Sequence, residues 1–266
     1  MLIGLGVTLV AVVVAWQVLR TPRDDRPWIP DQARVITAQF DGDLVHLGNV
    51  RNVDPRTRAP AYLEGTYDLR ALDSVWLVVA PFSEKWRGPA HTFVTFGFGD
   101  STYLSISVEA RREVGEEYGV LKGALDQFEV LYVVGTERDL IGRRIFDAEG
   151  PTYLYPIRAT PAAIRTLFTD MLARAASLRS RPEYYNTLTN NCTSNLVHHV
   201  QPLVAKHIPA SFVAVMPGYA DGVAKRLDLI ADDADIDAAR LRYRVDGRGR
   251  PALDSADFST VIRRIE

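Results

Sequence analysis

The sequence is short of several things, and each shortage excludes something. Cys192 is the only cysteine in 266 residues. One thiol rules out an internal disulfide framework and any metal cluster built from several cysteines. It leaves the compartment open, because an unpaired catalytic thiol can work in a periplasm. Basic charge is not in surplus: the formal net charge is −2, without the concentrated positive face that a nucleic-acid binder needs. Repeats and low-complexity tracts are absent. Charge itself is missing from residues 2–19, LIGLGVTLVAVVVAWQVL, a run long enough to cross a bilayer as a helix. That run has no basic residues before it, no short apolar core with a small-x-small cleavage site, and no lipobox cysteine after it. It therefore reads as an uncleaved anchor rather than a cleaved signal.

What is present is ordinary for a globular chain, 47% hydrophobic and 24% charged, with length for one large domain or two small ones. The division expected is a transmembrane anchor at 1–20, a Pro- and charge-rich linker at 21–34 and one domain at 35–266. Arg20, Arg23 and Arg26 follow the span and no Lys or Arg precedes it. Taken alone, that bias puts the domain in the cytoplasm, although long domains cross regardless of nearby charge.

Along the domain, Val35–Phe40 and Leu44–Leu47 alternate around Asp41-Gly42-Asp43, a hairpin signature. Residues 54–68 read as a loop, and 74–82 as a buried strand. The clearest hairpin is 91–113. Thr92, Val94, Phe96 and Phe98 share one face of its first strand, Leu104, Ile106 and Val108 share one face of the second, and Gly97 to Ser101 supply the turn. A turn centred near Asp100 sets His91 across from Glu109; a shift of two residues brings Ser107 or Arg111 there instead. Residues 125–134 and 152–158 read as further strands, with a charged segment between them. Residues 160–179 read as a helix capped by Thr160, with Pro161 at its first position and an apolar stripe from Ile164 to Leu178. Another helix-like stretch lies near 223–231.

The chemistry centres on YYNTLTNNCTSNLVHHV, residues 184–200. Asn190 or Asn191 suits an N-cap, and Leu196, Val197 and Val200 carry a helical rhythm. A thiol in the first turn meets the positive end of the helix dipole, which favours thiolate. The plain alternative is a buried structural cysteine. A nucleophilic cysteine needs a base, and the base an orienting group. His198 and His199 lie about two turns along the same helix and do not reach the sulfur. His46 and His207 occupy unremarkable loops or strand ends. His91, beginning a strand with Glu109 in the next, completes a Cys192–His91–Glu109 set, against the plain reading of a strand-edge histidine and a solvated glutamate.

HTFVTFGFG, SISVEARREVGEEY, LYVVGTERDLIGRR and YYNTLTNNCTSN together resemble the Lnb N-terminal periplasmic domain family. The similarity starts near WIPDQARV and GNVRN and covers most of the domain. It implies likeness to lipoprotein N-acyltransferases and to papain-like thiol enzymes of the NlpC/P60 and lecithin–retinol acyltransferase group. The implied fold is α+β: a circularly permuted papain-like domain, with an antiparallel sheet and a cysteine-bearing helix, preceded by one transmembrane helix. The permutation follows from the order His91, Glu109, Cys192. The implied roles are Cys192 as nucleophile, His91 as base and Glu109 as orienting residue. The implied setting is the bacterial inner membrane, single-pass, with the domain in the periplasm, opposite to the charge bias after the span.

The expected activity is acyl transfer through a Cys192 thioester to an amine, with a phospholipid donor and a lipoprotein N-terminus as acceptor. Asn190 and Asn191 are expected to support the oxyanion. Two other readings use the same residues: an amidase or peptidase acting on envelope substrates, and a non-catalytic binding domain. Arg111 and Arg112 are candidates for a phosphate head group, against a solvated strand end. Glu137, Arg138 and Asp139 read as an internal ion-pair network. His198 and His199 point about 100° apart on a helix and have no third partner, so no metal is expected, nor any cofactor. Trp76, Trp86 and Phe82 read by default as core.

Overall fold

The structure is a computed structural model and describes residues 20–99, 101–147 and 149–265. Nine strands form one sheet among them, in the order β1-β2-β7-β6-β5-β4-β8, with β3 paired to β2 and β9 to β7. The first hairpin is β1 (Thr37–Asp41) and β2 (Leu44–Arg51), turning at Gly42 with φ +60°, a left-handed conformation natural to glycine. β3 is Tyr62–Asp68. It lies within the stretch expected to be a loop and pairs with β2 from Leu44↔Asp68 to Arg51↔Tyr62. β4 (Leu72–Pro81), β5 (Ala90–Phe98) and β6 (Thr102–Arg111) form the centre.

β5 and β6 pair from Phe98↔Thr102 to Val94↔Ile106. That register continues to His91 opposite Glu109, but the ladder ends three residues before reaching them. A short helix α1 (Val120–Ala124) leads to β7 (Phe128–Thr136), followed by α2 (Glu137–Asp147), β8 (Tyr153–Pro156) and α3 (Pro161–Ser177). Thr160 caps α3 by accepting from Ala163 N at 3.2 Å. Then come β9 (Tyr184–Tyr185), α4 (Cys192–Val200), α5 (Ala210–Val215), α6 (Ala220–Arg226) and α7 (Ile236–Tyr243).

Side chains alternate across β5, so each face of the sheet builds its own core. Val94, Phe96, Leu104 and Ile106 pack against Ile164, Phe168, Met171 and Leu172 of α3, together with Cys192 and Leu196 of α4. Phe93, Leu131 and Val133 pack on the other side against Leu140, Ile141 and Ile145 of α2, with Leu253, Phe258 and Ile262 from the C-terminal segment. Helices therefore cover both faces.

The expected architecture needs correction in two respects. The sheet is mixed rather than antiparallel, because Arg51 of β2 pairs in parallel with Gly135 of β7. A transmembrane helix is not part of the fold described: no helix among the described residues is long and apolar enough to cross a membrane. The expected span at 2–19 lies outside the described residues. The charged segment after β7 is also more regular than its sequence indicates, forming the eleven-residue α2.

Residues 24–33, read as linker, are built into the domain. Trp28 bridges Glu113, Ile29 N donates to Arg112 O, and Pro30–Gln32 makes one turn of 3₁₀ helix. Phe82 and Trp86, read as core, are 48% and 56% exposed on the loop between β4 and β5.

Candidate functional site

Cys192 opens α4. Asn191 caps the helix in extended geometry, its Oδ1 accepting from Thr193 N and Ser194 N, both at 2.9 Å. Ser194 Oγ accepts in return from Asn191 N at 2.8 Å, closing a capping box. The Asn191 amide donates to Thr187 O at 2.6 Å and Ala214 O at 2.9 Å. Asn190 donates to Tyr184 O at 2.9 Å and accepts from Asn195 Nδ2 at 2.7 Å. Both asparagine side chains are thus engaged in holding the loop, and the Asn191 amide has no N–H left for an oxyanion. The support expected of them is mechanical. Cys192 N–H, by contrast, has no acceptor among the described residues.

The sulfur packs against the opening of β5. Thr92 Oγ1 lies 3.9 Å and Thr193 Oγ1 3.7 Å from Sγ, and the two hydroxyls lie 2.8 Å apart. Beyond Val94 the β5 edge has parted from β6, so Thr92 N–H is available to the sulfur. Burial pushes the thiol pKa up, but a hydrogen bond with His91, the imidazole's charge, the Thr92 N–H and the Thr193 hydroxyl outweigh it, bringing Cys192 down to about 7. About half the population is then thiolate at neutral pH. This is not the environment of an inert core cysteine, although Cys192 is buried.

His91 Nε2 sits 2.7 Å from Ser107 Oγ. Among the described side chains, Ser107 is the hydrogen-bond partner of the imidazole, and the thiol lies close enough for the imidazole to lower its pKa. Glu109, expected as the orienting residue, makes its side-chain hydrogen bonds among the described residues elsewhere than to His91. Its carboxylate receives Arg51 Nη1 at 3.2 Å, Arg51 Nη2 at 3.3 Å and Gln32 Nε2 at 3.0 Å. Burial raises its pKa, but the charges of Arg51, Arg143 and His91 overcome that and hold it well below the usual carboxylate range. Glu109 thus lies within electrostatic reach of His91, while Ser107 makes the hydrogen bond to the imidazole. Arg51 is itself buried and shared with Asp139, whose Oδ2 is 2.8 Å from Nε.

The two arginines expected to bind substrate separate. Arg111 is spent on the N-terminal strap: it donates to Gln32 O at 2.9 Å and Ala33 O at 3.0 Å, pairs with Asp24, and lies 4.2 Å over the Trp28 ring. Arg112 lines a cavity of about 60 Å³ together with His91, Ser107, Glu109, Arg51, Arg143 and Arg144. A second, apolar cavity of about 90 Å³ lies on the α4 side, bounded by Val94, Thr193, Leu196, Val197 and Val213 among others.

The remaining histidines stand apart. His199 Nδ1 is 2.6 Å from Asp170 and its Nε2 2.8 Å from Tyr132 Oη, which also donates to Asn195 Oδ1 at 3.0 Å. That buried network fixes α4 to β7 and α3. His198 is exposed, and among the described residues no group of three His, Cys, Asp or Glu side chains is placed to hold a metal. Glu137, Arg138 and Asp139 each form ion pairs, with Arg263, Asp54 and Arg51.

Sequence reasoning did not single out Thr92, Thr193, Arg51 or Arg144. Thr92 and Thr193 flank the two candidate catalytic residues in the chain, and that adjacency is the only signal they carry. Arg51 and Arg144 join the site through tertiary packing alone.

Comparison with known families gives one match: the model described as the Lnb N-terminal periplasmic domain covers residues 58–216, more than half of the chain, including His91, Ser107, Glu109 and Cys192. No curated protein and no solved structure matches. The description of the family as periplasmic agrees with an envelope location.

Proposed function

The chain belongs to the Lnb N-terminal periplasmic domain family, and from that premise we propose that it is a thiol acyltransferase of the cell envelope, of papain-like chemistry, working through a Cys192 thioester. The observation that carries this is a buried thiol at a helix start, held against Thr92 and Thr193 and lowered to about 7 with the His91 imidazole beside it. The thiolate attacks an ester carbonyl. The alkoxide departs with the proton that His91 holds, leaving an acyl group on sulfur. An amine then attacks the thioester while His91 takes its proton, giving an amide and restoring the thiol. The oxyanion of each step falls to Cys192 N–H, a donor of a kind worth about 3–4 kcal/mol. The apolar cavity beside Thr193 suits the first methylenes of a fatty chain better than it suits a polar peptide. We take the donor to be a phospholipid and the acceptor the N-terminus of a lipoprotein.

The test is intact-mass spectrometry after incubation with phospholipid vesicles, wild type beside Cys192→Ser and His91→Ala. A fatty-acyl mass gain that hydroxylamine removes and Cys192→Ser abolishes is the expected result. Release of cell-wall peptide fragments with no acyl adduct would replace this reading with that of a hydrolase.

A further inference from the structure

The cavity on the His91 side of the sheet is built of charge without enough counter-charge. Four arginines (Arg51, Arg112, Arg143 and Arg144) line it with the single carboxylate Glu109. Arg51 also holds Asp139, and Arg143 Nη1 holds Asp31 at 2.7 Å. Four cations thus face three anions, and Asp147, whose charge also reaches Arg144, is offset by its own partner Arg58, so one positive charge remains. The thiolate–imidazolium pair is neutral as a unit and does not change that balance.

The hydrogen-bond count points the same way. Arg143 Nε is buried without an acceptor. The guanidinium groups of Arg112 and Arg144 make no ion pair or hydrogen bond with any described residue. Burial pulls the Arg144 pKa down, against the partial support of the charges of Glu109 and Asp147. Arg112 and Arg144 are half-buried, and a partly desolvated, unpaired guanidinium costs free energy unless something supplies oxygen. These donors surround a space of about 60 Å³, roughly the share of two water molecules in the liquid.

We propose that this cavity binds a singly charged oxoanion, a phosphate-type group, with Arg112 and Arg144 as its cationic contacts and Arg143 Nε as a further donor. Guanidinium groups suit such oxygens because their planar donors match them in pairs. On the acyl-transfer reading, on which this identification rests, the oxoanion is the phosphodiester of the acyl donor, held on the His91 side while the chain enters from the α4 side. The binding itself does not depend on that reading.

The experiment is isothermal titration of the full chain with two probes, inorganic phosphate and the permanent monoanion dimethyl phosphate. Saturable binding is expected, weakened about tenfold in Arg144→Gln and in Arg112→Gln and partly kept in Arg144→Lys. The remote Arg165→Gln should bind as the wild type does. Tighter binding of the diester identifies a lipid-type head group; tighter binding of inorganic phosphate identifies the free ion. No saturable binding of either probe, or equal affinity in folded Arg144→Gln and Arg112→Gln, overturns the proposal. Acylation of wild-type Cys192 by p-nitrophenyl butyrate, which carries no phosphate, is measured alongside. Its failure would defeat the thiol reading and leave the anion site standing.

Discussion

Replacing His91 by alanine should change the reactivity of Cys192 in a way that depends on pH and reverses sign. In the wild type the thiol titrates at about 7 because His91, Thr92 N–H and Thr193 offset burial. Without His91, the strongest influence lowering the thiol is gone while burial remains, so the thiol rises toward its ordinary 9.0. At pH 7 the thiolate fraction then falls from about one half to about one hundredth, a roughly fiftyfold loss. The more basic thiolate is intrinsically the better nucleophile, with a Brønsted coefficient of about 0.45, which returns about eightfold. The net expectation against a disulfide reagent is a loss of about sixfold at pH 7. Above pH 9.5 the variant should react several-fold faster than the wild type, so the two profiles cross. The assay is the rate of reaction of Cys192 with 2,2′-dipyridyl disulfide, followed by absorbance from pH 5 to 10. A midpoint left near 7 in His91→Ala, or two profiles that never cross, would refute the claim that the imidazole sets the thiol.

Ser107→Ala should lower the acylation rate about tenfold, as one oriented hydrogen bond is lost, and cost no more than about 1 kcal/mol in urea unfolding. Glu109→Gln should instead raise the Cys192 midpoint, because the imidazolium loses a neighbouring negative charge, and should lose more stability than Ser107→Ala. Arg51→Met leaves Glu109 and Asp139 buried without their shared cation and should cost about 3–5 kcal/mol at pH 7 by urea unfolding. The sign with pH follows from Glu109: its pKa is depressed in the folded wild type, so its contribution is present above its unfolded pKa and fades as pH falls. The deficit of Arg51→Met should therefore hold between pH 7 and pH 5 and begin to shrink only below the unfolded carboxylate pKa of about 4.3, and a deficit that grows on acidification instead contradicts the assignment. Asn191→Ala removes the cap of α4 and two backbone acceptors' partners. A loss of about 2 kcal/mol is expected, read from the urea midpoint, with Asn191→Asp keeping the cap and recovering part of it.

The hairpin carrying His91 was legible because two rules act there together. Alternation fixes which side chains share a face, and the glycine turn fixes the register. The cysteine helix was legible from its cap and the rhythm of Leu196, Val197 and Val200. β3 was not, because it lies at the side of the sheet and its residues do not alternate between buried and exposed, leaving Pro60 and the nearby charges to suggest a loop. α2 was hidden by its charge. Glu137 and Asp139 read from the sequence as part of an internal ion-pair network, which suggests no helix by itself; both are buried, satisfied by Arg263 and Arg51. Arg51 is separated from Glu109 by 58 residues, and nothing local marks it as that residue's partner. Ser107 was visible only as a register alternative. It reaches His91 diagonally across the parted strands rather than by a shifted ladder.

The parting of β5 from β6 beyond Val94 also explains how the two halves of the site meet. Cys192 belongs to the core on the α3 and α4 side, whereas Phe93, the neighbour stacked near His91, belongs to the core on the α2 side. A continuous ladder would keep the nucleophile and its base on opposite faces. Ending it at Val94↔Ile106 opens the edge, so that the sulfur meets Thr92 N–H and the imidazole at once. The apolar cavity then lies on one side of the reacting pair and the arginine-lined cavity on the other. A substrate that fills both while offering a carbonyl to the sulfur has an apolar tail and an anionic head on either side of the bond to be broken. On the reading proposed here, an ester in that position meets all three requirements, and a short polar peptide meets only the last.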